Sequence, residues 1–353
     1  MVHHEGSPRV AVGLVYDDVY LKHNTGEHPE NGKRLQAVMS HLKETGTLAK
    51  LMLIKPIPTT FAELKAVHSE AHINYVKQLS ESNAGYLDMD TVVSEGSYET
   101  AIYAAGGVIR AVDAVMKGEV TSAFALVRPP GHHATRNRAM GFCLFNNIAI
   151  GAKYALSQYK LSRLAVIDTD VHHGNGTQDI FNSNPEVLYV STHESPLYPG
   201  TGGIQETGSG SARGTKVNIP LPAGAGDKEY SEVYEEIVVP VVRRYKPELI
   251  MVSAGFDAHF ADGLAMLRLS VSGYAEVMQN IKKMADELCA GKIVLSLEGG
   301  YNLQALSACV KATFDVLLSN GQVDDPLGRP PSIPAPPDIT PIIQAVKKVH
   351  NLS

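Results

Sequence analysis

Short runs of apolar and β-branched residues recur along the chain at 10–16, 123–127, 164–168, 187–191, 249–252 and 293–297. Several are continuous apolar runs with no polar alternation, the pattern of strands buried on both faces of a parallel sheet. Helix-like stretches lie around and between them, at 31–44, 98–116, 147–159, 228–244, 270–288 and 303–318. Alternation of this kind requires crossover connections. It predicts an α/β protein with three α/β/α layers around a mainly parallel sheet. No internal repeat and no Ser/Gly linker divides the chain, so a single domain over 1–353 is expected, with its core at about 10–320. The Gly-rich stretch 199–214 reads as a long loop packed near a site rather than a hinge. A tail rich in proline (Pro326, Pro330, Pro331, Pro334, Pro336, Pro337) is expected to wrap the surface before a last short helix at 341–349.

Composition narrows the class. With 44% hydrophobic and 19% charged residues in 353, the chain has ample material for a core. A net charge of −6 argues against a general nucleic-acid binder, which usually carries a basic excess. Cys143, Cys289 and Cys309 are scattered and form no CxxC pair, which points to a reducing compartment without a disulfide framework. Residues 1–10 show neither an apolar signal core nor a twin-arginine pattern. No apolar run approaches the ~18 residues of a membrane helix. A soluble cytoplasmic protein is expected, and His3 and His4 read as part of a solvated terminus rather than as metal ligands.

The unusual chemistry sits where strands end, the side on which open parallel sheets bind their ligands. Run 123–127 leads into Arg128-Pro129-Pro130-Gly131-His132-His133, and run 164–168 into Thr169-Asp170-Val171-His172-His173. Run 249–252 leads into Ser253-Ala254-Gly255-Phe256-Asp257, and run 293–297 into Glu298-Gly299-Gly300-Tyr301. On an extended segment Asp170 and His172 point to one side and can reach one ion. Asp257 would complete a carboxylate–imidazole–carboxylate set that suits Zn²⁺ with an open fourth position. Such a site acidifies water and polarises a carbonyl. The plainer alternative makes Asp170 a helix cap and His172 a packed core histidine. His132 and His133 offer two imidazoles for proton transfer, with Asp168 and Asn175 as candidate orienting acceptors. Tyr301, after two glycines, could donate to the oxyanion formed when water adds to an amide.

Together these segments resemble the zinc-dependent histone deacetylase family, including bacterial histone deacetylase-like amidohydrolases and acetylpolyamine amidohydrolases. The motifs are HPEN at 28–31, RPPGHHA at 128–134, GFCLFNN at 141–147 and DTDVHHGNGTQ at 168–178. YPGTGG at 198–203, SAGFDAH at 253–259 and LEGGYNL at 297–303 follow in order, and GNGTQ and LEGGYNL look like the class II branch. The resemblance implies the arginase/deacetylase fold and a zinc-dependent amidohydrolase that removes acyl groups from lysine side chains of proteins or peptides. It matches Asp170, His172 and Asp257 to the zinc ligands, His132 and His133 to the tandem acid/base pair, and Tyr301 to the carbonyl-polarising tyrosine. Phe142 and Tyr198 match the aromatic walls of the substrate channel, with the Gly141 carbonyl meeting the lysine amide and Asp90 at the rim. Asp168 matches a residue that orients His132 and helps hold a structural K⁺ near Ser191, and Arg34 one that lines an internal acetate channel. Asn175 stands where class I members carry an aspartate, and Gly263 where relatives commonly carry a proline. Leu264 occupies the place of the glutamate gatekeeper of some polyamine-selective relatives.

Three other readings are weighed. A di-manganese ureohydrolase would need carboxylates where Gly174 and His259 stand. An acetylpolyamine amidohydrolase shares the chemistry and remains the main alternative, some such enzymes gaining selectivity as homo-oligomers. A non-catalytic acyl-lysine-binding scaffold would be expected to have lost a ligand or Tyr301.

Overall fold

The computed structural model describes residues 11–82, 85–321, 323–332 and 335–353. His3, His4, Val10 and Pro334 lie outside them. Eight strands form one sheet: β1 (Val12–Val15), β2 (Met52–Ile54), β3 (Ser122–Ala125), β4 (Leu164–Asp168), β5 (Val187–Glu194), β6 (Lys216–Leu221), β7 (Leu249–Ala254) and β8 (Ile293–Leu297). Their order is β2-β1-β3-β8-β7-β4-β5-β6, and every pairing is parallel. The chain leaves β3 and restarts at β4, three places away, leaving room for two strands between them. Strands β7 and β8 later fill the gap. That gap is the topological switch of the sheet, where side chains from opposite crossovers face each other.

The strands predicted from apolar runs are all present, and β3, β4, β7 and β8 carry no residue exposed to solvent. The two strands without a sequence signal are the edges. β2 exposes Met52 and Leu53, while β6 contains Lys216, Asn218 and Pro220. An edge strand needs no double-sided apolar face and tolerates proline, so neither run looks like a buried strand.

Helices α4 (Ser97–Met116) and α5 (Asn147–Gln158) pack together, with α4 on β1, β3 and β8. Helix α9 (Val271–Cys289) packs on β7 and α10 (Leu303–Leu317), and α10 on α1 (Lys33–Glu44), which gives the second layer. Two short helices, α2 (Phe61–Lys65) and α3 (Glu70–Glu81), were not anticipated; α3 buries His72, Ile73, Val76 and Ser80 on one face. A third unanticipated helix, α6 (Asn175–Phe181), follows the site directly. The stretch expected as one helix runs as α7 (Asp227–Val233), a π-helical turn (Tyr234–Val238) and α8 (Val239–Tyr245). Pro240 lacks the N–H that a continuous α-ladder requires, and the wider turn before it absorbs the break. The tail is fastened by Asp325, whose carboxylate accepts from Ser272 N at 3.0 Å, before α11 (Thr340–His350) packs on β6.

Two helix caps fix the site. Asn146 accepts from Ala149 N, starting α5 just beyond Phe142, and Asn302 accepts from Ala305 N, starting α10 directly after Tyr301. Each cap satisfies a helix-end donor and is itself in extended backbone, so the helix starts only after the residue that enters the site.

Candidate active site

The four strand exits singled out by sequence belong to β3, β8, β7 and β4, which are consecutive in the sheet. Their loops therefore meet over one short stretch of sheet edge. Asp170, His172 and Asp257 each place a ligand atom within 4.8 Å of the others, and they are the one such cluster among the described residues. The local geometry differs from expectation: β4 ends at Asp168, and residues 170–172 form a bend, not an extended strand. His172 N donates to Asp170 Oδ1 at 2.9 Å, and the same oxygen lies 3.1 Å from His172 Nδ1, so the bend folds both side chains onto one point. The helix-cap alternative for Asp170 does not hold: Gly174 is the N-cap of α6, with no side-chain bond.

Asp170 Oδ2 accepts from Gly299 N at 2.8 Å, and Asp257 Oδ1 from Val171 N at 3.0 Å. Asp257 Oδ2 is buried without a hydrogen-bond partner, although His172 Nδ1 lies 3.3 Å away. A buried carboxylate oxygen with nothing to accept from is costly unless a cation faces it. Two carboxylates and one imidazole fit a single borderline divalent ion. Burial alone would lower the His172 pKa. The Asp170 hydrogen bond and the two carboxylate charges outweigh it and hold the imidazole up to about 10. Burial, and then the neighbouring Asp170 charge, push the Asp257 carboxyl above its ordinary range. In effect a proton on His172 balances the charge an ion would otherwise balance.

Glycine is required where the cradle closes. A Cβ on Gly299 would stand 2.0 Å from Asp257 Oδ2 and 2.6 Å from Asp170 Oδ2. Gly299→Ala is therefore expected to weaken metal affinity at least ~100-fold, beyond the 10–100-fold typical of disturbed ligand supports, while the protein stays folded. Isothermal titration with Zn²⁺ checks this, and wild-type affinity in the variant would refute the assignment of the cradle.

The two histidines are pushed in opposite directions. His132 Nδ1 lies 3.1 Å from Asp168 Oδ2, which also accepts from Tyr189 Oη at 3.0 Å. Burial opposes charging of His132, but Asp170 and Asp168 outweigh it and raise its pKa to about 10. His133 is pushed well below the ordinary histidine range by burial, then by the charges of His132 and His172. Its Nδ1 lies 2.8 Å from Asn175 Oδ1, whose Nδ2 faces the His133 carbonyl and Met140 Sδ, each at 3.5 Å. An amide oxygen only accepts, so Nδ1 carries the proton and Nε2 keeps its lone pair. Asp168 and Asn175 are thus the groups the structure brings to the two Nδ1 atoms.

A channel of about 220 Å³ opens onto these groups, lined by His132, His133, Gly141, Phe142, His172, Tyr198, Leu264, Tyr301 and Asp90, with Pro130, Leu197 and Gly299. Tyr198 stands edge-on to His133 at 5.1 Å, and Phe142 edge-on to Tyr301 at 5.8 Å. Burial holds the Tyr301 phenol well above its ordinary pKa, so it is a donor. Arg34, fully buried, lies 4.9 Å from the Tyr301 ring and donates to the carbonyls of Gly300 and Glu298, each at 2.6 Å. Asp168 and Ser191 are register partners in β4 and β5, and the Ser191 hydroxyl lies 2.8 Å from His193 Nδ1. The Gly-rich loop packs beside them: Thr201 Oγ1 lies 2.8 Å from His173 Nδ1, and the Gly202 carbonyl 3.1 Å from His193 Nε2. His259 does not join the metal cluster; its Nδ1 accepts from Ala261 N.

Several supporting residues escaped sequence reasoning. Glu298 Oε2 accepts from Gly131 N at 2.7 Å and His132 N at 3.1 Å, fixing the turn that presents both histidines. Its place at a strand exit was the available signal. Glu30 receives Arg128 and Arg34 in a buried ion cluster under the site, within the HPEN and RPPGHHA segments. Asp88 and Thr91 tie the rim to the channel wall: Gly141 N donates to Asp88 Oδ2 at 3.3 Å and Phe142 N to Thr91 Oγ1 at 3.1 Å. No periodicity marks them.

A family model described as histone deacetylase domain matches residues 28–317. A probable deacetylase of Archaeoglobus fulgidus is 43% identical over 298 residues, covering 84% of this chain and 82% of that protein. Histone deacetylase 14, chloroplastic, of Arabidopsis thaliana is 38% identical, covering 96% of this chain and 85% of that protein. Among solved structures, the crystal structure of the HDA15 HD domain superposes with a TM-score of 0.85 at 35% identity, over 97% of this chain and 94% of that one.

Proposed function

This chain belongs to the histone deacetylase family and is a hydrolytic deacetylase; from that premise we propose that it uses one zinc ion to remove acetyl groups from lysine side chains of proteins or peptides. Its fold is the arginase/deacetylase fold. The observation that carries the proposal is the buried Asp170–His172–Asp257 cluster at the base of a narrow channel that also presents His133 and Tyr301. A zinc ion held there would supply Lewis acidity to the acyl carbonyl and to the attacking water.

The chain's own groups divide the remaining work. Phe142 and Tyr198 take the apolar lysine stem, with the Gly141 carbonyl and Asp90 toward the mouth. His133, neutral at Nε2, accepts the proton from water as it attacks. The Tyr301 hydroxyl donates to the oxygen on which charge develops. The proton on His133 then passes to the departing amine nitrogen. His132 stays protonated against Asp168 and offers fixed positive charge beside the reacting group.

Asn175 tunes the base. Asn175→Asp would place a carboxylate at the 2.8 Å contact with His133 Nδ1. A nearby opposite charge raises a histidine pKa by about 1–3 units. A base with a raised pKa stays protonated, and idle, up to a higher pH. The acid limb of kcat/KM should therefore move up by about 1 unit or more, which a pH–rate profile reads directly.

Lysine is favoured over a polyamine because Leu264, a neutral side chain, stands at the channel where a gatekeeping carboxylate would bind a second ammonium. A structural K⁺ beside Asp168 and Ser191 belongs to the same proposal, supported by the adjacency of those residues in the sheet. So does a reducing cytoplasmic setting, supported by three buried cysteines that form no disulfide. No helix among the described residues is long and apolar enough to cross a membrane. We take 1–353 as one catalytic domain, because Asp325 and α11 fasten the tail to it.

Acetate release from an acetyl-lysine peptide and from an N-acetylated polyamine, measured side by side with zinc-loaded protein, tests the substrate. Faster turnover of the peptide is expected. Preference for the polyamine would overturn the substrate and keep the chemistry. Inertness toward both, with zinc bound, would revive the scaffold reading.

A further inference from the structure

We propose that Asp262 is a positioning residue for the deacetylation reaction: its single carboxylate holds the backbone of Tyr301 and the rim loop carrying Leu264, so that channel mouth and oxyanion donor are one mechanical unit. The inference rests on the reading of Tyr301 as that donor. Asp262 Oδ2 accepts from Tyr301 N at 2.6 Å and from Asn302 N at 2.9 Å, while Oδ1 accepts from Leu264 N at 3.3 Å. The contact is returned by Asn302, whose Nδ2 donates to the Ala261 carbonyl at 2.9 Å. Asp262 is only 6% exposed, and its own N–H is tied to the His259 carbonyl at 2.8 Å. The clamp therefore stands on backbone that leads directly back to Asp257.

Such a clamp is needed on both sides. Tyr301 follows Gly299-Gly300, and Gly300 adopts a φ of +114°, a region open to glycine and little constrained for it. The N–H groups of Tyr301 and Asn302 precede α10, so the helix supplies them no partner. Asn302 spends its own side-chain oxygen on Ala305 N. On the rim, Gly263 has nothing within 4 Å of where a Cβ would stand, and the loop's far end is held at the Met266 and Leu267 N–H groups by Glu194 Oε2, which leaves Asp262 to fix its channel-facing turn at Leu264. Asp262 thus joins directly two segments that both line the channel, through Tyr301 and Leu264. A reacting group misplaced by about 1 Å can cost ~10²-fold in rate.

The test is a double-mutant cycle of Asp262→Ala with Tyr301→Phe on the zinc-loaded full chain, with zinc content and melting temperature measured for each variant. Asp262→Ala is expected to lower kcat by ~30–100-fold with zinc still bound. In the Tyr301→Phe background, where no phenol remains to be positioned, the same change should cost less than about 3-fold. Equal fold-losses in both backgrounds would overturn the proposal, since a purely structural Asp262 would act independently of the phenol. Asp262→Asn gives a second reading should the alanine variant fail to fold. Its amide oxygen can face the two N–H groups of Tyr301 and Asn302, which leaves a donor opposed to Leu264 N–H. We expect kcat within about 3-fold of wild type and KM raised severalfold; a kcat loss as deep as that expected for alanine, with KM unchanged, would overturn the coupling. A Tyr301→Phe variant as fast as wild type would sink the oxyanion reading itself, and this inference with it.

Discussion

Asp257→Asn is expected to abolish zinc-dependent deacetylation, by at least ~10⁴-fold, while leaving the zinc-free protein as stable as the zinc-free wild type or more so. Both halves follow from the buried carboxylate. Lewis-acid stabilisation of the transition state is worth several kcal/mol, and about 5.5 kcal/mol corresponds to 10⁴ in rate. In the zinc-free wild type, however, Asp257 Oδ2 is buried with no hydrogen-bond partner and sits beside Asp170. Asparagine keeps the oxygen that accepts from Val171 N at 3.0 Å and removes a buried charge whose desolvation and repulsion by Asp170 outweigh its attraction to His172 Nδ1, 3.3 Å away. Thermal melts with and without zinc separate the two effects. Wild type should gain about 4 kcal/mol at a thousandfold excess of zinc over Kd, and the variant little. A variant that melts lower without zinc, yet still responds to it, would show that Asp257 serves the fold and not the ion.

The sign of the pH dependence follows from the same residue. Burial and Asp170 raise the Asp257 pKa above the ordinary carboxylate range, and binding a cation requires the deprotonated form. Zinc-induced stabilisation of the wild type should therefore shrink as pH falls through the raised pKa, earlier in an acid titration than for an ordinary aspartate.

Tyr301→Phe is the second large effect. The substitution keeps the ring that meets Phe142 edge-on at 5.8 Å and faces the Arg34 guanidinium at 4.9 Å, and removes only the hydroxyl. Loss of one oxyanion donor in a water-excluded site costs about 2.7–4 kcal/mol, or ~10²–10³ in kcat. Because the hydrogen bond strengthens as charge develops, KM should change by less than about 3-fold. Steady-state kinetics on an acetyl-lysine peptide decide it. A loss confined to KM would make Tyr301 a substrate-binding wall instead of a participant in the chemistry.

The amino-acid sequence by itself determined the strand exits and the groups they carry. Apolar runs such as 164–168 and 293–297 coincide with β4 and β8, since burial on both faces leaves a local signature. Asp170, His172, Asp257, the His132–His133 pair and Tyr301 were legible because each follows such a run, and reactive residue types at strand ends are uncommon. Edge strands β2 and β6 were not legible, because β2 exposes Met52 and Leu53 and β6 places Lys216, Asn218 and Pro220 in its run, so neither reads as a buried apolar strand.

Tertiary structure alone decided what those residues can do together. That β3, β8, β7 and β4 are neighbours follows from β7 and β8 filling a gap left more than a hundred residues earlier, which no local periodicity encodes. Burial beside the charges of His132 and His172 pushes His133 down, while the Asp170 and Asp168 charges push its neighbour His132 up, so the two imidazoles are driven apart. Asp262, an unremarkable aspartate in a rim loop, acquires its place from two N–H groups about forty residues away. The physical reason is the range of the forces: side-chain burial and backbone propensity act over a few residues and are written along the chain. Charge pairing, desolvation and hydrogen-bond direction depend on distances of a few ångströms that only the folded packing sets.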